Sequence, residues 1–174
     1  RALSDAKTSL NKLDGIAVTC APGVLGSLLV GIAAAKGIAY ANNLPIIGVN
    51  HLEGHLNAAS IEFGEIPFPY VGLVVSGGHT SLYLVKKFGD YKLLGATRDD
   101  AAGEAFDKVA KLLHLGYPGG PAIDKAAKEG DAKAFRFTKP KFASGDTLDF
   151  SFSGIKTAIL LLYRKEEGLS FPRK

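Results

Sequence analysis

The sequence predicts an α/β protein, and two observations carry that expectation. In the first third, short runs rich in β-branched residues alternate with apolar helical stretches across short joints. Three strand-like runs then follow one another, joined only at Gly77-Gly78 and Gly89-Asp90. Strand–helix–strand with short connections implies parallel pairing, whereas three strands in succession imply an antiparallel meander. The rhythm changes around Pro67 and Pro69. The expected domains are therefore residues 1–66, an α/β domain, and residues 67–174, a meander with helices.

Each element has its own signal. Leu3, Ala6, Leu10 and Leu13 recur at helical spacing and predict an opening amphipathic helix. Residues 15–20 form a β-branched run that reads as a buried strand, closed by Ala21-Pro22-Gly23. Ser27 is the expected cap of a long apolar helix reaching about Asn42. Residues 45–49 give a second buried strand, and a helix carrying His51 and His55 follows to about Gly64. Residues 71–76, 80–87 and 91–97 are the meander strands. Asp100 is the expected cap of a helix over 101–114, and Pro121 the first residue of a helix to Glu129. Residues 131–150 lack periodicity. Ser153 is the expected cap of a last helix to about Glu167.

Composition narrows the function classes. With 174 residues, 47% of them hydrophobic and 22% charged, the chain can bury a core and is not of disordered composition. A net charge of +4 is compatible with nucleic acid or phosphate partners without requiring them. Cys20 is the only cysteine, so no internal disulfide can form. The longest apolar run, residues 28–40, is interrupted by Gly31, Lys36 and Gly37 and is too short to cross a bilayer. The chain opens on Arg1, contains no methionine and shows no signal peptide; the natural protein is expected to begin upstream.

The segment Asn50-His51-Leu52-Glu53-Gly54-His55 is the most informative. On a helix, residues four apart share a face, so His51 and His55 can offer two nitrogens to one metal ion. Chance placement of two polar side chains is the competing reading. Val74-Val75-Ser76-Gly77-Gly78 is a strand entering a glycine turn whose N–H groups can approach an anion without Cβ obstruction, unless it is an ordinary hairpin. Gly116-Tyr117-Pro118-Gly119-Gly120-Pro121 is a stiff loop opening onto a helix, whose N-terminal N–H groups favour an anion or a sugar hydroxyl. Asp107 lies mid-helix, a poor position for aspartate; it is either an acceptor for ribose hydroxyls or a surface partner of Lys111. Asp124 carries the same two readings. His114 near a helix end reads as a dipole partner.

The order of these segments is more specific than any one of them. Asn-His-Leu-Glu-Gly-His, Val-Ser-Gly-Gly-His-Thr, Asp-Asp-Ala-Ala-Gly-Glu-Ala-Phe-Asp-Lys-Val-Ala-Lys, Gly-Tyr-Pro-Gly-Gly-Pro and Phe152-Ser153-Gly154-Ile155-Lys156-Thr157 together resemble the TsaD (Gcp/YgjD) family, as does the upstream Ala-Pro-Gly-Val-Leu-Gly-Ser-Leu-Leu-Val-Gly. The resemblance implies an actin/Hsp70/hexokinase-like (ASKHA) two-domain fold, present here as a partial chain, with the site in the interdomain cleft. It implies transfer of a threonylcarbamoyl group from threonylcarbamoyl-AMP to the N6 amine of the tRNA adenosine that follows the anticodon. Carried over by motif, it implies metal ligands at His51 and His55 for one divalent ion, iron or zinc. It implies substrate contacts at Val74, Val75, Ser76, Gly77, Gly78, Asp107, Gly120 and Asp124, with ATP or ADP able to occupy the same site. The implied partners are tRNA, an ASKHA-fold paralogue and other proteins of the threonylcarbamoyladenosine pathway, in the cytoplasm and away from membranes. Family members are roughly twice as long. The N-terminal phosphate-binding turn, the third metal ligand and an asparagine near the substrate have no counterpart here.

Two rival functions remain at this point. A metalloprotease of the H-E-x-x-H kind places its glutamate directly after the first histidine. Here Glu53 lies two residues on, about 180° from the mean direction of the histidine pair at about 100° per residue. A non-catalytic partner subunit of the same fold has no need to keep the histidine pair, the glycine turn and the Gly-Gly-Pro loop together.

Overall fold

A computed structural model describes residues 1–138, 140, 142–143, 145 and 147–165. The chain divides into two compact units, Arg1–Ile66 and Pro67–Lys174.

In the first unit the opening helix is far shorter than its apolar spacing predicts. α1 covers Ala2–Asp5 only, and Leu10–Lys12 form a separate 3-10 turn. Lys7 takes a left-handed φ of 49°, with Thr8 N–H donating to the Leu3 carbonyl, which ends the helix after one turn. The Ser9 hydroxyl then donates to Asn11 Oδ1 at 2.6 Å, a local alternative to helix bonding. β1 (Ile16–Ala21) and β2 (Ile46–Asn50) pair in parallel, Ile16 opposite Ile46 and Val18 opposite Gly48. α2 (Leu25–Ala41) makes the crossover between them, as the short joints predict. It starts at Leu25 without a side-chain cap, so Ser27 lies inside the first turn and is not the cap. Its end is closed by Asn43 at φ 50° and by Leu44 N–H donating to the Ala39 carbonyl at 2.8 Å. α3 (His51–Phe63) follows β2 without a linker. Ala35, Ala39 and Leu56 are the buried hydrophobic residues of this unit, whereas Tyr40 is 92% and Ile61 89% exposed.

In the second unit β3 (Tyr70–Val75), β4 (Thr80–Lys87) and β5 (Asp90–Ala96) form the expected antiparallel meander. Residues 147–150 lie along the free edge of β5. Phe150 N–H donates to the Ala96 carbonyl at 3.1 Å and Arg98 N–H to the Phe150 carbonyl at 3.0 Å. The approach is close enough that a Cβ on Gly95 would fall 2.1 Å from the Leu148 carbonyl oxygen.

α4 (Ala102–Leu112) is not capped by Asp100. The Oγ1 of Thr80, 2% exposed at the start of β4, accepts the Ala102 N–H at 2.9 Å. A cap brought in from the sheet replaces the local one because the helix start is packed against β4. Asp100 instead receives Lys108 and Lys156, each at 2.7 Å. At the other end His114 adopts φ 56°, and Leu115 N–H donates to the Ala110 carbonyl at 2.9 Å. His114 therefore occupies the left-handed position that closes α4. α5 (Gly119–Ala127) begins two residues before Pro121, which takes the third helical position, where a missing N–H breaks no helical bond. α6 (Ser153–Lys165) has Ser153 as its first residue instead of its cap. Asp99, more than fifty residues earlier, accepts the N–H groups of Phe152 at 2.8 Å and Ser153 at 3.3 Å. The expected helix end at Glu167 lies outside the described residues.

Candidate functional site

Asn50 is both the last residue of β2 and the N-cap of α3: its Oδ1 accepts the N–H of Leu52 at 2.9 Å and of Glu53 at 3.3 Å. This sharp strand-to-helix turn puts His51 at the carboxyl end of a parallel strand, where open α/β sheets collect ligands. One helical turn on, His55 brings its Nε2 within 3.1 Å of the Nε2 of His51, with ring centroids 4.4 Å apart. Both rings are exposed. Metal–nitrogen bonds of about 2.0–2.1 Å reach a common point from two nitrogens at this spacing, so the pair fits half of a tetrahedral donor set. Among the described residues, no cluster of three or more His, Cys, Asp or Glu completes such a set. Glu53 is on the opposite side of this helix from the pair, which removes the geometry of a metalloprotease base.

The glycine turn is built differently from an ordinary tight hairpin. Ser76 N–H donates to the His79 carbonyl at 2.8 Å, but the return bond from His79 N–H goes to Ser76 Oγ at 3.0 Å. This substitution releases the Ser76 carbonyl, which accepts the Gly103 N–H from α4 at 3.2 Å. Neither Gly77 nor Gly78 sits in the left-handed region. The close approach is set from the helix side: a Cβ on Gly103 would lie 2.8 Å from the Gly77 Cα and from the Ser76 oxygen, whereas a Cβ on Gly77 would meet open space. Val74 points inward, 5% exposed, and Val75 outward, 55% exposed. The Gly78 N–H has only a long 3.4 Å bond to Ser76 Oγ.

Asp107 does not pair with Lys111. Its Oδ1 accepts the Gly119 N–H at 2.7 Å, so it braces the first residue of α5. Gly119 is pressed so closely onto α4 that a Cβ there would lie 2.5 Å from the Asp107 Cα and the Phe106 oxygen. Above Gly120 there is open space. With Gly119 N–H engaged and Pro121 lacking one, Gly120 supplies the available first-turn donor of α5 among the described residues. Asp124, one turn after Gly120, faces solvent with its side chain 74% exposed and lies 3.5 Å from Lys128.

The structure thus joins Ser76 and Gly77 to α4 and joins Asp107 to the Gly119-Gly120 turn. The bracing residues Thr80, Gly103 and Gly119 carry little individual signal in the sequence; a glycine in the first turn of a helix was the visible anomaly. Behind them a charged network holds α6. Burial of Asp99 works against its ionisation, but hydrogen bonds from Ser151, Phe152 and Ser153 outweigh this and lower its pKa to about 2. The ammonium groups of Lys108 and then Lys156 lower the Asp100 carboxyl. Asp149 is lowered by the Ala96 N–H, which donates at 3.0 Å, and next by Arg98.

The protein class so defined is an α/β protein of two units, with an imidazole pair in the first and a carboxylate-braced glycine turn in the second. Residues 1–171 match a model of the family described as TsaD: tRNA N6-adenosine threonylcarbamoyltransferase. The tRNA N6-adenosine threonylcarbamoyltransferase of Anaeromyxobacter sp. (strain Fw109-5) is 62% identical over 168 residues, covering 97% of this chain and 50% of that relative. The protein of the same name from Clostridium botulinum (strain Hall / ATCC 3502 / NCTC 13319 / Type A) is 54% identical over 166 residues, 95% of this chain and 48% of its own length. Among solved structures, YeaZ from Pseudomonas aeruginosa aligns with a TM-score of 0.39 at 20% identity, over 52% of this chain and 47% of that one, a similarity too low to argue from. The chain belongs to the TsaD family, and it spans about half the length of these curated relatives.

Proposed function

We propose that the full-length protein containing this chain transfers the threonylcarbamoyl group of threonylcarbamoyl-AMP to the N6 amine of the tRNA adenosine following the anticodon. The observation that carries this reading is the family match over residues 1–171. In the reaction the amine nitrogen bonds to the carbamoyl carbon. The bond from that carbon to the AMP phosphate oxygen breaks, AMP leaves, and the amine proton passes to solvent.

The chain's own residues divide this work. The Gly77 and Gly78 backbone meets the phosphate, with Val74 and Val75 fixing the strand that delivers the turn. The free oxygen of Asp107 and the Gly120 N–H meet the nucleoside, with Asp124 on the same face of α5 as Gly120. ATP or ADP fits the same set. His51 and His55 hold the divalent ion, and imidazole suits iron or zinc. When bound, such an ion supplies Lewis-acid polarisation of a carbonyl. The wider architecture we infer is the actin/Hsp70/hexokinase-like two-domain arrangement, divided near Pro67, with tRNA, an ASKHA-fold paralogue and other pathway proteins as partners in the cytoplasm. No described helix is long and apolar enough to cross a membrane.

The test is nucleoside analysis of unmodified tRNA incubated with donor substrate, metal, the pathway proteins and either the full-length protein or residues 1–174 alone. Modified adenosine should form only with the full-length protein. Failure of the full-length protein to form it would refute the assignment.

A further inference from the structure

α4 supports two glycine turns on one face. Gly103 and Asp107 are four residues apart on one helix, so they lie on the same face, about 6 Å apart along its axis. At the first of these positions the Ser76–Gly77 turn rests on the helix backbone, held by the Gly103 N–H to the Ser76 carbonyl at 3.2 Å. At the second the Gly119-Gly120 turn rests on the same face, held by its Gly119 N–H to Asp107 Oδ1 at 2.7 Å. Both seats exclude a side chain: added Cβ atoms would approach backbone to 2.8 Å at Gly103 and 2.5 Å at Gly119. Two glycine turns, distant in sequence, are thereby fixed one helical turn apart on a common support.

We infer that α4 is the strut that sets the spacing between these two turns, and that Asp107 is a positioning residue acting through the Gly119 N–H. The bond consumes one carboxylate oxygen. It also removes the Gly119 donor from the first turn of α5, so the turn presents the Gly120 N–H to a ligand. Asp107 then has two separable properties. Its Oδ1 acceptor holds the loop whether or not a nucleotide is present, and its charge and second oxygen act only toward a ligand. The ligand half rests on the proposed function; the loop half does not.

The two halves separate in one experiment on the full-length protein. Amide hydrogen exchange is followed through residues 116–122 without ligand, and ADP affinity is measured in parallel. In the wild type the Gly119 amide should exchange at least about tenfold more slowly than the Gly120 amide, as a made hydrogen bond requires. Asp107→Ala should speed Gly119 exchange by about tenfold, whereas Asp107→Asn, which keeps an acceptor oxygen, should retain most of the protection. Both variants should bind ADP more weakly, Asp107→Ala the more so. Equal exchange of Gly119 and Gly120 in the wild type overturns the inference without any variant. So does a Gly119 amide as protected in Asp107→Ala as in the wild type, since Asp107 would then be a ligand contact only. Loss of protection in Asp107→Asn equal to that in Asp107→Ala overturns it as well. If the wild type binds no ADP while the exchange pattern holds, the strut stands and the adenylate reading fails.

Discussion

Replacing Gly103 with alanine should destabilise the second unit, although alanine is the better helix former. The new Cβ would sit 2.8 Å from the Gly77 Cα and the Ser76 oxygen and 2.9 Å from the Gly77 nitrogen. All three are backbone atoms, so no flexible side chain can yield. Normal carbon contacts of about 3.5 Å require the turn and the helix to part by about 0.7 Å. That displacement stretches the Gly103 N–H bond to the Ser76 carbonyl from 3.2 Å beyond useful range. Overpacking costs about 1–3 kcal/mol and the lost hydrogen bond about 1 kcal/mol, against about 1 kcal/mol regained in helix propensity. The net expectation is roughly 1–3 kcal/mol of destabilisation. Urea unfolding of the full-length protein measures it, with Gly37→Ala as the control. Gly37 lies inside α2 with nothing near its would-be Cβ, so that change should stabilise by about 1 kcal/mol. If Gly103→Ala is stabilised like the control, the close docking of the glycine turn on α4 is wrong.

Other perturbations separate the remaining parts. His51→Ala and His55→Ala should each lower metal content, measured by elemental analysis of tag-free full-length protein, together with activity; stoichiometric metal in both variants removes the assignment. His114→Gly should raise stability by about 1 kcal/mol in thermal melts, because the left-handed φ of 56° disfavours any residue with a Cβ. Asp99 has a folded pKa lowered from 3.8 to about 2, so its contribution to holding α6 is complete above the unfolded value and fades as pH falls through the folded one. The melting-temperature gap between wild type and Asp99→Ala should therefore persist at pH 6 and close toward pH 2; a gap that does not change with pH contradicts the hydrogen-bonded carboxylate.

Strands and the meeting of the two histidines were legible because their signals are local. Apolar runs bounded by Pro and Gly place β1 to β5 within a residue or two, although β1 and β2, expected to be buried, are largely exposed (Ile47 64%), and the i,i+4 histidines needed only a helix to meet. The supports were not legible because they act across the chain. Nothing near Ala102 announces Thr80 as its cap, and nothing near Phe152 announces Asp99 as acceptor. The cap expected of Asp100 failed for the same reason: its carboxylate is worth more to Lys108 and Lys156 than to the next helix start. The opening helix failed through a local choice that periodicity does not weigh, the left-handed turn at Lys7. The Gly77-Gly78 turn is readable from the sequence, but the close seat of its Ser76-Gly77 backbone on Gly103, without left-handed backbone, appears only in three dimensions.

We propose that the glycine turn and the α4–α5 brace form one adenylate site in the full-length protein. A crystal structure of the full-length protein with metal and a non-hydrolysable threonylcarbamoyl-adenylate analogue tests it most directly. The expected complex has the phosphate against the Gly77 and Gly78 N–H groups, the ribose against Asp107 and Gly120, and one ion on His51 and His55. An analogue bound away from these glycines, or an ion held without either histidine, would contradict it.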